Sequence, residues 1–165
     1  FNAMKPRRDD KSPKQNNLAF QYAEVEPSVL GEYELSTRYS NSKNITITLN
    51  TNNNDYVDTL LLDTDSRIME IDNGKTLHKG TRNVNGLHIS EWWVKRRHLV
   101  PPEPYLKYEF NLKINESKDK KGQYLELTMR YDADVQKPDE ILTEHEVVAL
   151  WQNITSTLQY NPPGK

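Results

Sequence analysis

The sequence predicts an α+β domain in which a mainly antiparallel sheet is packed by two amphipathic helices. Several segments alternate apolar and polar residues strictly, as half-buried antiparallel strands do. Two other segments repeat apolar residues at helical spacing. The chain has 165 residues, a length at which one domain buries roughly 70% of the surface that its unfolded chain exposes. We therefore expect a single domain over residues 18–165, preceded by a tag remnant and flexible arm over residues 1–17.

The predicted arm differs in composition from the rest of the chain. Phe1–Ala3 precede Met4 and are interpreted as a cloning remnant. Residues 4–17 are charged, polar and contain proline, which is typical of a flexible segment. They lack the hydrophobic centre of a signal peptide, and no apolar run of the sequence reaches the roughly 20 residues that span a bilayer. We expect no integral membrane segment.

A hairpin and a helix are predicted first along the chain. The first strand places four alternating side chains on one face, and after a polar turn the second strand points three inward. These are Tyr33, Leu35, Thr37 and Tyr39, then Ile45, Ile47 and Leu49. The polar run Thr51–Asn54 predicts the start of a helix that ends before residue 72. Its shared face would contain Val57, Leu60, Leu61, Thr64 and Ile68.

Four more strands are predicted, over residues 75–82, 87–95, 105–114 and 123–131. The third gives the clearest signal, because its apolar residues alternate with charged or amide residues throughout. The apolar set is Leu106, Tyr108, Phe110, Leu112 and Ile114. Strands of a parallel sheet covered on both faces would be apolar throughout, so this pattern predicts antiparallel pairing.

The second helix closes the domain. Thr143 and Glu146 have the spacing of a capping box, and Pro162 with Pro163 prevents continuation beyond the C-terminal end. One face carries Val147, Leu150, Trp151, Ile154 and Leu158. The pattern predicts a helix that packs against the sheet and carries no catalytic motif.

Composition argues against several classes of function. The net charge is −2, so no overall positive field favours nucleic acid as a partner. There is no cysteine, which excludes disulfides and thiolate metal sites and fits either a reducing compartment or the periplasm. The histidines are scattered without metal-binding spacing, and the pair His88 and Ser90 lacks the glycines of a nucleophile elbow. We expect no catalytic residues, no cofactor and no metal.

The segment from Glu91 to His98 is the candidate binding site. Trp92 and Trp93 are successive strand residues that point to opposite faces, so they cannot enter the same core layer. Tryptophan and arginine are enriched at the energetic centres of protein interfaces. We therefore predict that Trp92, Trp93, Arg96 and Arg97 anchor a partner protein and that Glu91 is a charged rim residue. The alternative is that the basic residues form an ordinary solvated strand end.

Two segments carry a family resemblance. Residues 67–95 run from a helix into a strand, a Val-x-Gly-Leu turn and an acidic residue followed by an aromatic one, and residues 149–158 read Ala-Leu-Trp-Gln-Asn-Ile-Thr-Ser-Thr-Leu. Together they resemble the C-terminal domain of bacterial immunity proteins that neutralise type VI secretion phospholipase effectors, over roughly the last hundred residues. The polar loop 115–122 departs from that pattern.

The resemblance implies a function. It implies a non-enzymatic domain that binds a cognate lipase effector and blocks its active site or lid. It also implies residence in the periplasm, whereas Met4 as the native start would place the chain in the cytoplasm. The alternative is a periplasmic ligand-binding or assembly domain without catalysis, for which a deep apolar pocket lined by Tyr105, Trp92 or Trp93 would argue.

Overall fold

The architecture is that of a computed structural model, which describes residues 4–6, 18–19, 23–25, 34–52, 60–65, 73–99, 104–114 and 124–158. Its strands are β1 (Met4–Pro6), β2 (Leu18–Ala19), β3 (Ala23–Val25), β4 (Glu34–Ser40), β5 (Ile45–Asn52), β6 (Gly74–Val84), β7 (Leu87–His98), β8 (Tyr105–Ile114) and β9 (Tyr124–Asp132). A short 3-10 helix at Pro138–Glu140 precedes the helix α1 (Glu144–Ser156).

One antiparallel sheet organises the described part of the chain. It has six strands in the order β4-β5-β9-β8-β7-β6, and every neighbouring pair is antiparallel. The strands β1, β3 and β2 form a separate sheet of three. The fold class α+β with a mainly antiparallel sheet is therefore confirmed. Met4–Pro6, inside the predicted arm, pairs with β3; the division into arm and domain stays a prediction.

The core lies on one face of the six-stranded sheet, here called the helix face because α1 packs against it. Strand β8 shows why the sequence folds this way: alternate residues point to opposite faces, and Tyr108, Phe110, Leu112 and Ile114 are all buried. They join inward residues of β7 and β9, with Val147 and Trp151 of α1, in a single cluster. The predicted face of β8 is confirmed.

Helix α1 begins at the predicted cap. The Thr143 hydroxyl accepts a hydrogen bond from the Glu146 backbone N–H (3.3 Å), and the Glu146 carboxylate accepts one from the Thr143 backbone N–H (2.8 Å). Val147 and Trp151 are buried, and the other members of the predicted face, Leu150, Ile154 and Leu158, pack half-buried against the core. The C-terminal helix is confirmed in its start, its face and its role.

The first predicted helix is not confirmed. Strand β5 extends to Asn52, so the polar run begins inside a strand rather than at a helix cap. Residues 60–65 form turns, with the Asp63 N–H bonded to the Leu60 carbonyl (3.0 Å). Val57 and Ile68 lie outside the described residues. The domain therefore has one confirmed amphipathic helix, where the sequence predicted two.

The hairpin of β4 and β5 forms as predicted, but Leu49 is not buried although it points to the helix face. It is 36% exposed, and Tyr39 beside it on β4 is 61% exposed. The physical reason is the position of α1 on the helix face. Its contacts go to Arg82, Glu91 and Phe110 on β6, β7 and β8, at the other end of the strand order. Alternation identifies the face to which a side chain points, but not whether another element covers it.

The tight turn between β6 and β7 also fixes the end of α1. Asn85 and Gly86 both have positive φ, 48° and 82°, as the two central residues of a type I′ hairpin require. The Asn85 side-chain amide donates to the carbonyls of Ser156 (3.2 Å) and Leu158 (2.8 Å). These carbonyls lie at the C-terminal end of α1, where no further helical turn supplies N–H donors to them, so the hairpin stabilises the helix end.

Candidate partner-binding surface

Glu91 lies at the centre of a buried polar network. Its side chain is fully buried, and its carboxylate accepts from Arg82 through Nε (2.7 Å) and Nη2 (3.0 Å). The Trp151 indole N–H donates to the same carboxylate (3.0 Å). Arg82 also donates to the Thr155 hydroxyl (2.6 Å). The network joins β6 and β7 to α1, so Glu91 holds the helix on the sheet.

The prediction that Glu91 is a charged rim residue is therefore corrected. A buried carboxylate is retained only when it is paired and hydrogen-bonded, and here all of its described partners come from the protein's own β6 and α1. The sequence pattern could have predicted part of this result, namely the inward position of Glu91. Glu91 alternates with Ile89 and Trp93 on the same strand face, which indicates an inward position but names no partner.

Trp92 and Trp93 lie on opposite faces of β7, as predicted. Trp92 is only 3% exposed and packs with Leu61 and Val94 on the face opposite α1, here called the outer face. Its indole N–H donates to the Thr76 hydroxyl (3.0 Å). The Lys79 ammonium lies over the Trp92 ring, 4.3 Å from its centroid. Trp92 is thus a core residue of the outer face.

Trp93 belongs to the helix face. Its ring lies 4.6 Å from the His78 ring and 5.7 Å from the Phe110 ring, measured between centroids. It is half-buried and packs against the main core cluster. Neither tryptophan projects freely from the surface.

The basic residues that follow are the accessible part of the predicted site. Lys95 donates to Glu144 at the start of α1 (2.8 Å), and this hydrogen bond is the main cause that raises the pKa of Lys95. Arg96, on the outer face, donates to Glu109 of β8 (3.0 Å). Arg97 is exposed and forms no ion pair with any residue that the structure describes. Among the described residues, none neutralises the charge of Arg97.

Two open clefts flank these residues at the same end of the sheet. The cleft of about 230 Å³ on the outer face is lined by Val94, Arg96, Tyr105, Lys107, Tyr108, Glu109 and Arg130. The groove of about 270 Å³ on the helix face is lined by Lys95, Arg97, Leu99, Leu106, Val135 and Ile141. Leu99 is 48% exposed. We call Lys95–Leu99 together with Tyr105–Lys107 the basic end of the sheet.

A third hollow, of about 490 Å³, shares Ile141 with the groove. It is lined by Ser42, Lys43, Asn44, Tyr131, Asp134, Lys137, Asp139, Glu140, Ile141, Leu142 and Glu146. None of the three is lined by Trp92 or Trp93, and Tyr105 lines a cleft dominated by charged side chains. These three hollows, all lined by described residues, therefore do not have the geometry expected of a tryptophan-lined ligand pocket.

Other chemistry finds little support in the described part of the chain. No group of three histidine, aspartate or glutamate side chains there could hold a metal ion. His88 contacts Asn83 across the hairpin (3.4 Å), which places it on an exposed strand surface. No described helix has the length and apolarity to cross a bilayer.

The chain is similar to known immunity proteins. A family model described as "Tle cognate immunity protein 4 C-terminal domain" matches residues 12–163, a longer span than the sequence resemblance indicated. The apo structure of immunity protein TplEi of the type VI secretion system from Pseudomonas aeruginosa is similar with a TM-score of 0.73 at 14% identity. That similarity covers 99% of this chain and 56% of TplEi. No curated protein sequence gave a match.

Two further structures share the fold. TplEi complexed with an "L" peptide is similar with a TM-score of 0.68 at 14% identity, covering 94% of this chain and 58% of that one. A chain of the Tle4-Tli4 complex is similar with a TM-score of 0.67 at 13% identity, covering 94% of this chain and 55% of that one. The present chain thus spans somewhat more than half the length of the structures it matches.

Proposed function

Because the chain belongs to the family described as the Tle cognate immunity protein 4 C-terminal domain, we propose that it protects a cell by binding a type VI secretion lipase effector. Members of this family are immunity proteins and not enzymes, which agrees with the absence of a catalytic motif in the sequence. The family match over residues 12–163 is the observation that carries the proposal. The similar Tli4 chain is found in complex with Tle4.

The basic end of the sheet is the contact surface that we propose. Arg97 offers an unpaired charge within the described residues, and Leu99 beside it is 48% exposed. An apolar anchor next to a guanidinium is the composition of an interface centre. We assign direct contact to Arg96 and Arg97, and assign Glu91, Trp92 and Trp93 the role of holding β7 in position behind them.

Inhibition would follow from position alone. A bound domain that covers the entrance to the effector's active site, or that prevents its lid from opening, stops lipid hydrolysis without any chemistry of its own. A specific contact of this kind buries about 800 Å² on each partner. We propose the periplasm as the place of action, because a lipase effector delivered there meets the lipids of the membrane.

The experiment is a titration of the purified effector with the purified chain. We expect hydrolysis of phospholipid vesicles to stop at a near-equimolar ratio. Full hydrolysis with the chain in large excess, and no complex by calorimetry, would reject the proposed immunity role.

The contact surface is tested separately by reversing one charge. Arg97→Glu should weaken the complex by about tenfold or more, because the new carboxylate faces a partner surface selected for a cation. Lys43→Glu is the control, since it also reverses an exposed positive charge, in the turn between β4 and β5 and outside the basic end of the sheet. Equal affinities for Arg97→Glu and the unchanged chain would show that the effector binds elsewhere, while the immunity role itself stands.

A further inference from the structure

Strand β4 is the edge strand at one end of the strand order in the six-stranded sheet. Its seven residues pair with β5 in continuous register, without a bulge. All of them except Leu35 are exposed, so within the described residues no element lies over this edge. The unpaired backbone N–H and C=O groups of such a strand are a template for another strand.

The opposite edge of the sheet is protected. Strand β6 has a register shift between Thr76 and His78, and it carries Lys75, Lys79 and Arg82. Bulges and repeated like charges are the features by which proteins prevent edge pairing. β4 has neither of them: it is regular, and its only charged residues are Glu34 and Arg38.

The two charges of β4 are placed symmetrically. Glu34 and Arg38 lie two residues on either side of Ser36, so all three share the outer face of the sheet. Both are exposed, and neither forms an ion pair with a residue in the described ranges. An antiparallel copy of this strand centred on Ser36 would set each Glu34 directly opposite an Arg38.

We propose that β4 pairs with β4 of a second copy of this chain, with Ser36 on the twofold axis. A twofold axis normal to the sheet keeps each face on its own side, so the outer-face residues of one copy must meet those of the other. Only the register centred on Ser36 satisfies both charges. A centre at Leu35 would place Glu34 opposite Ser36, and a centre at Thr37 would place Glu34 opposite Ser40 and Arg38 opposite Ser36, so either shift separates Glu34 from Arg38.

The neighbouring apolar surface adds to this edge. Tyr39 is 61% exposed and Leu49 is 36% exposed, and both lie on the helix face beside β4. Pairing the two edges would join the two copies in one continuous sheet of twelve strands, twice the six of one copy. These side chains of both copies would then lie close to the junction. The contact is small, so the dimer should be weak and dependent on concentration.

Charge exchange tests the pairing directly by sedimentation velocity across a concentration series. The unchanged chain should pass from monomer to dimer. Glu34→Arg and Arg38→Glu should each raise the dimer dissociation constant by about tenfold, because each creates two like-charge pairs across the axis. The double variant restores both opposite-charge pairs and should return to within about threefold of the unchanged chain.

Several results would overturn the pairing. One is a chain that stays monomeric at millimolar concentration, and another is a double variant that dimerises no better than the single ones. Arg97→Glu is the control at the other end of the sheet and should leave dimerisation unchanged. Circular dichroism and thermal melts establish that each variant is folded. If β4 variants weaken effector binding while the unchanged chain is monomeric, the edge serves the effector and not a second copy.

Discussion

Removal of Arg82 tests whether the buried network holds α1 on the sheet. The substitution Arg82→Met keeps much of the side-chain volume but removes both hydrogen bonds to Glu91, leaving its buried carboxylate with the Trp151 indole (3.0 Å). Breaking a buried ion pair by deleting one partner costs about 3–5 kcal/mol. The Arg82 side chain is 33% exposed, so water can replace part of the hydrogen bonding that Glu91 loses. We therefore expect a cost at the lower end of the range of about 3–5 kcal/mol.

The assay is equilibrium unfolding in urea, supported by thermal melts. A loss of about 3 kcal/mol corresponds to a fall in Tm of about 6–12 °C for a domain of this size. Lys95→Met is the control, because it breaks a different ion pair, one between β7 and α1 in which both side chains are partly exposed. Such pairs contribute about 0–1 kcal/mol.

A double variant separates the buried charge from the loss of packing. Arg82→Met with Glu91→Leu removes the carboxylate that the single variant leaves unpaired, so at least half of the lost free energy of unfolding should return. The Trp151 N–H then lacks its acceptor, which prevents complete recovery. If Arg82→Met costs no more than Lys95→Met, or if the double variant is the less stable one, the reasoning is wrong.

Three further predictions concern the core, a turn and the helix cap. Trp92→Ala should lower the free energy of unfolding by about 3–5 kcal/mol, whereas Arg97→Glu should change it by less than about 0.5 kcal/mol; equal effects in urea would contradict their assigned burial. Gly86→Ala should cost about 1 kcal/mol because Gly86 has a φ of 82°, and an unchanged Tm would refute this. Hydrogen bonds from Thr143 lower the pKa of Glu146, so its contribution is complete above the ordinary glutamate pKa and is lost as the pH falls through the lowered value. The Tm difference between Glu146→Ala and the unchanged chain should accordingly be largest at neutral pH and shrink in acid, and a difference that is the same at both would contradict it.

Local patterns predicted most of the sheet and the closing helix. Alternation along β8 and the capping residues of α1 depend on neighbours within a few positions, and both were confirmed by the structure. The predicted helix around Leu60 was not confirmed, because apolar spacing over a short polar segment does not distinguish a helix from turns that pack one residue against a sheet. Leu61 is that residue, in contact with Trp92 and Val94.

The surroundings of the candidate site residues were predicted only in part, for a similar reason. Residue type drew attention to Trp92 and Glu91, but burial depends on contacts that are distant in sequence. The indole that donates to Glu91 belongs to Trp151, 60 residues away. Arg97 could be found from sequence because an exposed strand end needs no distant partner. Its proposed role in binding rests on the structure around it and on the family.

Strand β7 contributes side chains to two packing layers, one on each face of the sheet. Glu91 and Trp93 face α1, while Trp92 and Val94 face the segment that contains Leu61. Because the same strand supports both layers, loss of packing on one face should disturb the other, and both layers should unfold in one cooperative step. Backbone amides of β7 should then exchange with solvent only through global opening, as slowly as any in the described part of the sheet.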